Sequence, residues 1–353
     1  MDHKFKLLNT RINENPNDHA AYFNRAKLYQ DTKQFEKAIA DYERVLEIDA
    51  QNTKAYNNRG AIFYEIKKYS EALLDFNIAL NLDVDYIYAY NNRGNVYLKL
   101  RNLEKAFWDF NQAIALDKTC LHAYINRGRL YTSIEEYQLA LHDLDFAVQL
   151  SPRSFLAYIN RGQTYAQMQQ NYSALNDGNK VVELHPNAAG GYVFRGSILK
   201  DLKRYDLALS DFNRSLELDS NNAAAYLNRG ELYYYTNEYK QALWDYHTAI
   251  EINKQENNKY ERANYAKPFH YRGNLYRVLQ KHYFALSDYG NAIELDDSSA
   301  EVYQSRGNLY MELGQVDKAE QDHSRAKELL TLKSASLKRL HQACFSVKPA
   351  LQK

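Results

Sequence analysis

The sequence contains little cysteine and no long apolar segment. Its 353 residues include only two cysteines, Cys120 and Cys344, which are far apart and fit no metal-ligand spacing. They form no disulfide framework, and such usage is typical of a reducing compartment. No stretch approaches the roughly 20 apolar residues needed to span a bilayer, and the amino terminus lacks the apolar core of a signal peptide. We therefore expect a cytoplasmic protein without membrane insertion.

Charge of one sign is also missing. Lys and Arg together number 45 and Asp and Glu number 44, giving a formal net charge of +1. General binding to nucleic acid or to anionic lipid calls for a basic surplus. The balance therefore argues against both kinds of partner.

Catalytic and cofactor motifs are absent as well. The ten histidines are scattered along the sequence. The sequence shows no pattern of Ser, His and Asp that indicates a catalytic triad, and no glycine-rich motif of the kind that binds phosphate. The sequence thus predicts no catalytic residue, no metal site and no cofactor, and the protein is expected not to be an enzyme.

What the chain does contain is a repeat with a period of 34 residues. One arginine marks each copy, and an aspartate follows it by 16 residues. The arginines are Arg25, Arg59, Arg93, Arg127, Arg161, Arg195, Arg229, Arg272 and Arg306. The aspartates are Asp41, Asp75, Asp109, Asp143, Asp177, Asp211, Asp245, Asp288 and Asp322. Nine copies of one supersecondary unit predict a stack in which each unit packs against its neighbours.

Each unit is predicted to form two helices joined by a short turn. In the second copy Tyr56, Gly60 and Phe63 have the spacing of one helical face, and Ala72 and Phe76 begin the apolar stripe of a second helix. The Ala recurs in all nine copies and the Gly in eight, which indicates close helix packing. The predicted unit is an αα-hairpin.

These aromatic, Gly and Ala series resemble the tetratricopeptide repeat family over nearly the whole chain. The resemblance implies an all-α fold, a right-handed superhelical solenoid of about nine helix-turn-helix repeats with capping helices at both ends. We place an N-terminal capping helix at 1–18 and the nine-repeat solenoid at 19–330, with an insertion within 254–267. A C-terminal capping helix and tail follow at 331–353.

The repeated charges are predicted to pair. On a helical wheel both the arginine and the aspartate point inward, where an unpaired charge would be costly. We expect a bridge between the helices of one hairpin or between neighbouring hairpins. The fifth copy has Gly178 where the other second helices carry a ring or, in the fourth copy, Leu144. We expect the stack to be weakest there.

A second face of the first helix carries asparagine at one recurring position, which we call the ladder position. The ladder asparagines are Asn24, Asn58, Asn92, Asn126, Asn160 and Asn228, with Phe194, Tyr271 and Ser305 in the remaining copies. In tetratricopeptide stacks this face lines the concave groove where partners usually bind. The ladder is also similar to that of the repeat domain of O-linked N-acetylglucosamine transferases, which holds the backbone of extended peptides.

The candidate site follows from this likeness, because a carboxamide donates and accepts and so pairs with any peptide group. Its residues are Asn58, Asn92, Asn126, Asn160 and Asn228, with Asn57, Asn91 and Asn95 beside them. The residue before the ladder is aliphatic in four middle copies and offers an apolar docking strip, namely Ile125, Ile159, Val193 and Leu227. The alternative is that the asparagines are merely inherited, solvated polar residues.

The sequence therefore predicts a non-catalytic scaffold that holds an extended segment of a partner protein in its groove. One alternative is a structural adaptor that uses its outer surface. Others are a targeting or regulatory subunit of an enzyme complex, or a secreted effector that captures a host protein. The Lys and Arg residues that tetratricopeptide domains use to grip acidic chaperone tails are missing from the corresponding positions.

Overall fold

The computed structural model describes residues 2–255 and 262–346, and within these ranges it contains nineteen helices and no strand. This confirms the all-α repeat class. The chain divides into two compact units, Met1–Leu150 and Ser151–Lys353. In both units consecutive helices pair into antiparallel hairpins, as the repeat predicts.

The first unit holds a single leading helix and four hairpins. The helices are α1 (Asp2–Glu14), α2 (His19–Asp31), α3 (Phe35–Ile48), α4 (Thr53–Glu65), α5 (Tyr69–Leu82), α6 (Ile87–Lys99), α7 (Leu103–Leu116), α8 (Leu121–Ser133) and α9 (Tyr137–Leu150). The leading helix α1 packs on α2 through Leu8 and Ile12, in the place predicted for an N-terminal cap.

The second unit holds five hairpins. Its helices are α10 (Phe155–Gln167), α11 (Asn171–Leu184), α12 (Ala189–Asp201), α13 (Tyr205–Leu218), α14 (Ala223–Tyr235), α15 (Tyr239–Gln255), α16 (Arg262–Val278), α17 (His282–Leu295), α18 (Ala300–Glu312) and α19 (Val316–Ser346). The insertion predicted within 254–267 lengthens α15 and α16 to 17 residues each, and its residues 256–261 lie outside the described part. The segment predicted as a C-terminal cap continues α19 without a break up to Ser346.

Small residues set the spacing inside each hairpin. The recurring alanine of the second helix has no exposed surface in any copy, as seen for Ala72 and Ala106. In six of its eight copies the recurring glycine lies against the ring of the second helix. A Cβ atom on Gly94 would come within 2.6 Å of Cε1 of Phe110, so only glycine fits at that distance. The tight packing offsets the roughly 1 kcal/mol of helix propensity that glycine loses.

The turn inside each hairpin is closed by one residue in the left-handed conformation. Eight copies place a residue other than glycine there, for example Lys203 with φ 58° and Asn237 with φ 63°, and the ninth uses Gly314. The amide of the next residue then bonds back to the first helix, as Arg204 N does to Leu199 O at 2.8 Å. This is the Schellman arrangement that ends helices.

The nine arginine–aspartate pairs all form. Each guanidinium donates from Nε and Nη2 to the two carboxylate oxygens of the aspartate in its own hairpin, over distances of 2.6 to 3.0 Å. The hydrogen bond to Asp41 and its charge raise the pKa of Arg25. These bidentate bonds satisfy charges that would otherwise be buried without partners.

The same arginines also join neighbouring hairpins. Nη1 of Arg127 donates to Oδ1 of Asn111, in the second helix of the preceding hairpin, at 2.6 Å. Arg93 makes the equivalent bond to Asn77 at 2.7 Å. The charge pairs therefore form within hairpins, and the contact of the arginine with the preceding hairpin is a hydrogen bond to a neutral amide.

Candidate functional site

The asparagines of the candidate site lie on the first helices, but the exposed fractions of their side chains differ. Asn57, Asn126 and Asn160 are buried, with 5%, 7% and 8% of their surface exposed. The half-buried members of the candidate site are Asn58, Asn91, Asn92, Asn95 and Asn228. These asparagine side chains are therefore partly or fully buried and are not a row of freely solvated side chains.

In the first unit the amides bond to one another across hairpins. Asn92 donates from Nδ2 to Oδ1 of Asn57 at 3.0 Å, and Asn126 donates to Oδ1 of Asn91 at 2.9 Å. Both bonds join residues 35 positions apart, because each ladder amide reaches the residue before the ladder position in the preceding hairpin. The sequence did not reveal this rule, although Asn57 and Asn91 were marked as neighbours of the ladder.

The contacts of Asn57 extend the chain of amides inward. Its Nδ2 donates to Oδ1 of Asn58 at 3.2 Å, and Asn58 donates to the hydroxyl of Tyr42 at 3.2 Å. Burial raises the pKa of Tyr42 to about 12, so this hydroxyl stays protonated at neutral pH. Connected hydrogen bonds of this kind polarise one another and hold the side chains in fixed orientations.

In the second unit the ladder amides turn back onto their own helix. Asn160 donates to the carbonyl oxygen of Leu156 at 2.7 Å and Asn228 to that of Ala224 at 2.8 Å. The position 35 residues before Asn228 is Val193, which has no side-chain acceptor. The aliphatic residues before the ladder therefore interrupt the amide chain.

The apolar strip expected at those aliphatic positions is only partly available. Ile125 has 3% of its surface exposed and is a core residue, so its assignment to a docking strip was wrong. Ile159 and Val193 are half-buried, and Ile159 packs against the core cluster around Phe194 and Ile198. These side chains are better described as the edge of the hydrophobic core.

Several amide atoms on the ladder face have no internal partner. Asn95 makes no side-chain hydrogen bond within the residues that the structure describes. Oδ1 of Asn92 and Oδ1 of Asn228 accept none there, although Nδ2 of each residue donates. The face consequently offers the acceptor oxygens of Asn92 and Asn228 and the whole amide of Asn95.

A cavity of about 600 Å³ opens on the second unit. Its wall residues come from α14, α15, α16 and α18, and at two of them the ladder position carries a residue other than asparagine. They are Glu231, Tyr234, Tyr235, Tyr246, Tyr271, Asn274, Arg277, Val278, Ser305 and Glu312. Tyr271 and Ser305 stand at ladder positions. The repeat pattern of the sequence does not bring these side chains together.

Two ion pairs border this cavity. Lys200, with 7% of its surface exposed, pairs with Oε2 of Glu231, and Arg277 pairs with Glu312 through both Nε and Nη2. Oε1 of Glu231 accepts only a long bond of 3.4 Å from the hydroxyl of Tyr235. One carboxylate oxygen thus remains weakly engaged at the cavity wall.

Buried His270 lies behind the cavity. Its Nε2 lies 2.9 Å from Oγ of Ser305 and 3.3 Å from Nδ2 of Asn274, and an unprotonated Nε2 is an acceptor for these groups. The bond to Ser305 also spans 35 positions, so it takes the place of the amide bonds of the first unit. Burial lowers the pKa of His270, which keeps the ring neutral and able to accept both bonds.

No group of three or more His, Cys, Asp or Glu side chains is placed to hold a metal ion in the described ranges. No helix among the described residues has the length and hydropathy that a membrane span requires.

Models of the tetratricopeptide repeat match several segments. They cover residues 19–52, 87–120 and 300–329, and a further repeat model of this kind covers 60–100 and 196–236. No curated protein matches the sequence.

Solved structures match the fold at low sequence identity. The Cut9–Hcn1 hetero-tetramer of the APC/C aligns with 91% of this chain and 76% of that chain, at 13% identity and a TM-score of 0.60. A tetratricopeptide repeat protein from Parabacteroides merdae ATCC 43184 aligns with 66% of this chain and 93% of that chain, at 20% identity and a TM-score of 0.55. At such identities the likeness concerns the fold.

Proposed function

We propose that this chain of tetratricopeptide repeats is a non-catalytic scaffold that binds an extended segment of a partner protein along its ladder face. Folds of this type commonly take part in protein–protein interaction, and the matches to repeat models and to solved repeat structures support the proposal. The proposed contact residues are Asn57, Asn58, Asn91, Asn92, Asn95, Asn126, Asn160 and Asn228.

The amide network of the first unit is the observation that carries this proposal. The bonds from Asn92 to Asn57 and from Asn126 to Asn91 fix the amides before any partner arrives. A binding surface that is already ordered loses less entropy on association. Asparagines that were only solvated surface residues would have no reason to be held in this way.

The free acceptor atoms define what the partner must supply. Asn92 and Asn95 lie on α6, three residues apart, and Oδ1 of Asn92 and the amide of Asn95 accept no internal hydrogen bond among the described residues. A peptide in an extended conformation presents backbone N–H groups at regular intervals whatever its side chains. We therefore expect the ladder to bind the backbone and other residues to select the sequence.

A direct test begins with peptides selected from a random displayed library against the intact chain. The affinity of a selected peptide is measured by calorimetry for the wild type and for the double variant Asn92→Ala, Asn95→Ala. Each lost hydrogen bond is expected to weaken binding about two- to tenfold. Asn221→Ala is the matched control, because Asn221 is exposed in the turn before α14 and lies off the ladder.

Chemical change of the peptide provides a second arm. Methylation of single backbone nitrogens removes one N–H at a time and leaves the side chains intact. Loss of affinity at alternate nitrogens supports backbone binding by the ladder. Equal affinity of the Asn92, Asn95 variant and the wild type, with helicity unchanged, would exclude the ladder as the binding site.

The adaptor alternative has one observation in its favour. Trp108 and Trp244 are 47% and 57% exposed on second helices, and each packs edge-on against a first-helix ring, Tyr90 and Tyr226 respectively, at 5.7 Å between centroids. Exposed tryptophan is enriched at interfaces. Binding that survives the ladder variant but is lost in Trp108→Ala or Trp244→Ala would favour this outer surface.

A further inference from the structure

The cavity of the second unit differs in chemistry from the amide ladder. We call it the tyrosine pocket and define it by Tyr234, Tyr235, Tyr246, Tyr271 and Glu231. Its volume of about 600 Å³ exceeds that of a single amino-acid side chain. It can therefore hold a long side chain together with part of the backbone that carries it.

The rings of the tyrosine pocket stand at steep angles to one another. Tyr234 and Tyr235 have centroids 5.8 Å apart and an interplanar angle of 73°, and Tyr246 and Tyr271 have centroids 6.2 Å apart and an angle of 65°. Rings in this arrangement present aromatic faces in different directions. Cations are attracted to such faces by the ring quadrupole.

The charge of Glu231 acts on two tyrosine hydroxyls of the pocket. Burial raises the pKa of Tyr271 to about 12, and the charges of Glu231 and Glu301 add to the shift. Burial also raises the pKa of Tyr246, again with Glu231 as the largest charge contribution. Lys200 is paired with Glu231, and Arg277 is paired with Glu312.

One hydroxyl at the pocket is left without a protein partner among the described residues. Tyr246 has 1% of its surface exposed, and its hydroxyl makes no hydrogen bond within the described residues. The corresponding tyrosines of other hairpins are engaged: Tyr42 accepts from Asn58, and Tyr289 donates to Oδ1 of Asn274 at 2.7 Å. The hydroxyl of Tyr246 lines the pocket, so a bound molecule would satisfy it.

We propose that the tyrosine pocket binds the arginine or lysine side chain of a partner segment, with the cationic head against the tyrosine rings and Oε1 of Glu231. The free hydroxyl of Tyr246 pairs with the backbone carbonyl of the same segment. This inference rests on the proposed function, since it names the anchor of the segment that the ladder face would hold. It assigns the second unit a preference for basic residues.

The test uses fluorescein-labelled, capped alanine peptides that carry one central arginine, lysine or citrulline. Citrulline has the shape of arginine without its charge. Anisotropy titrations with the intact chain are expected to show binding of the two cationic peptides and affinity lower by on the order of tenfold for citrulline. Added salt is expected to weaken the cationic peptides and leave citrulline unaffected.

Two variants connect the binding to the pocket. Glu231→Gln removes the carboxylate charge, and Tyr271→Asn restores the ladder residue found at six other positions. Both are expected to abolish the preference for arginine over citrulline, with the melting temperature followed by circular dichroism. Arg325→Gln is the control, because Arg325 is a surface residue paired with Glu328 and outside the pocket.

The results separate this inference from the proposed function. Equal binding of arginine and citrulline peptides, or no binding of the cationic peptides at millimolar concentration, would overturn the pocket assignment while the ladder tests stand. A preference for a proline-rich peptide over the arginine peptide would also overturn it. Cation binding in the pocket, together with unchanged peptide affinity of the Asn92→Ala, Asn95→Ala variant, would support the pocket and count against the ladder.

Discussion

Phe194 fills the space that Gly178 leaves open in the fifth hairpin. A Cβ atom on Gly162 would lie 2.6 Å from Cζ of Phe194, whereas the equivalent contact of Gly196 is with Phe212 of its own hairpin. Phe194 stands at a ladder position of the next hairpin, where most copies have asparagine. Its ring replaces the missing one from the other side of the gap, so the fifth hairpin is packed.

We predict that Gly178 and Phe194 are energetically coupled. Phe194→Ala should destabilise the second unit by about 3–5 kcal/mol, because it leaves a cavity. Gly178→Phe alone should also destabilise it, since two rings would compete for one space. The double variant Gly178→Phe, Phe194→Asn returns both positions to the repeat pattern and should recover most of the loss in urea unfolding. Losses that add in the double variant would contradict the coupling.

The bidentate pair of Arg127 and Asp143 provides a second coupled pair. Asp143 is 1% exposed and receives both Nε and Nη2 of Arg127, at 2.7 and 2.8 Å. Arg127→Met leaves a buried carboxylate without its partner and should cost about 3–5 kcal/mol. Adding Asp143→Leu removes that charge and should restore much of the melting temperature. A double variant no more stable than Arg127→Met would show that the pair is not the reason for the loss.

The left-handed turn residues offer a stabilising change. Lys203 has φ 58°, a conformation that is strained for any residue with a Cβ atom. Lys203→Gly should therefore raise the free energy of unfolding, by up to about 1 kcal/mol. Lys203→Ala is the control, because it removes the long side chain but keeps the Cβ atom and so should bring no gain. Gly314→Ala, at φ 70°, should change stability in the opposite direction.

Sequence periodicity predicts the hairpins and the charge pairs because both follow from contacts within one 34-residue unit. The spacing from Arg59 to Asp75 repeats in every copy and fixes one geometry, which the structure has nine times. The compensation by Phe194 was not predicted, since it joins two hairpins and appears once. From the sequence alone, Gly178 was interpreted as a weak point of the stack. Phe194 was interpreted only as a copy without the ladder asparagine.

The candidate site was less predictable for the same reason. The hydrogen bond from Asn92 to Asn57 depends on how far one hairpin is displaced along the next, which the period alone does not give. The tyrosine pocket combines residues of four helices, which the repeat pattern does not bring together. Residues whose contacts lie within one hairpin can be predicted from the repeat pattern. Contacts between neighbouring hairpins depend on how the hairpins pack, which the repeat pattern does not specify.

The bond between Asn92 and Asn57 should contribute to stability as well as to order. We predict a coupling of about 1 kcal/mol in a double-mutant cycle of Asn92→Ala and Asn57→Leu, the usual net value for such a bond. The same cycle with Asn95→Ala in place of Asn92→Ala should give no coupling, because Asn95 has no hydrogen bond to Asn57. Thermal melts of the variants measure both.

The protonation of His270 should make the stability of the second unit depend on pH. Its pKa is lowered in the folded protein by burial, below the ordinary value of about 6.5, so the unfolded chain binds the proton more readily. The stabilising contribution is complete above pH 6.5 and is lost as pH falls through that value toward the folded pKa. Glu301 acts in the opposite direction, and Ser305 and Asn274 lose their acceptor when Nε2 is protonated. We therefore expect the difference in melting temperature between wild type and His270→Gln to shrink from pH 7.5 to pH 5. A difference that stays constant would mean that the ring does not change its protonation on unfolding.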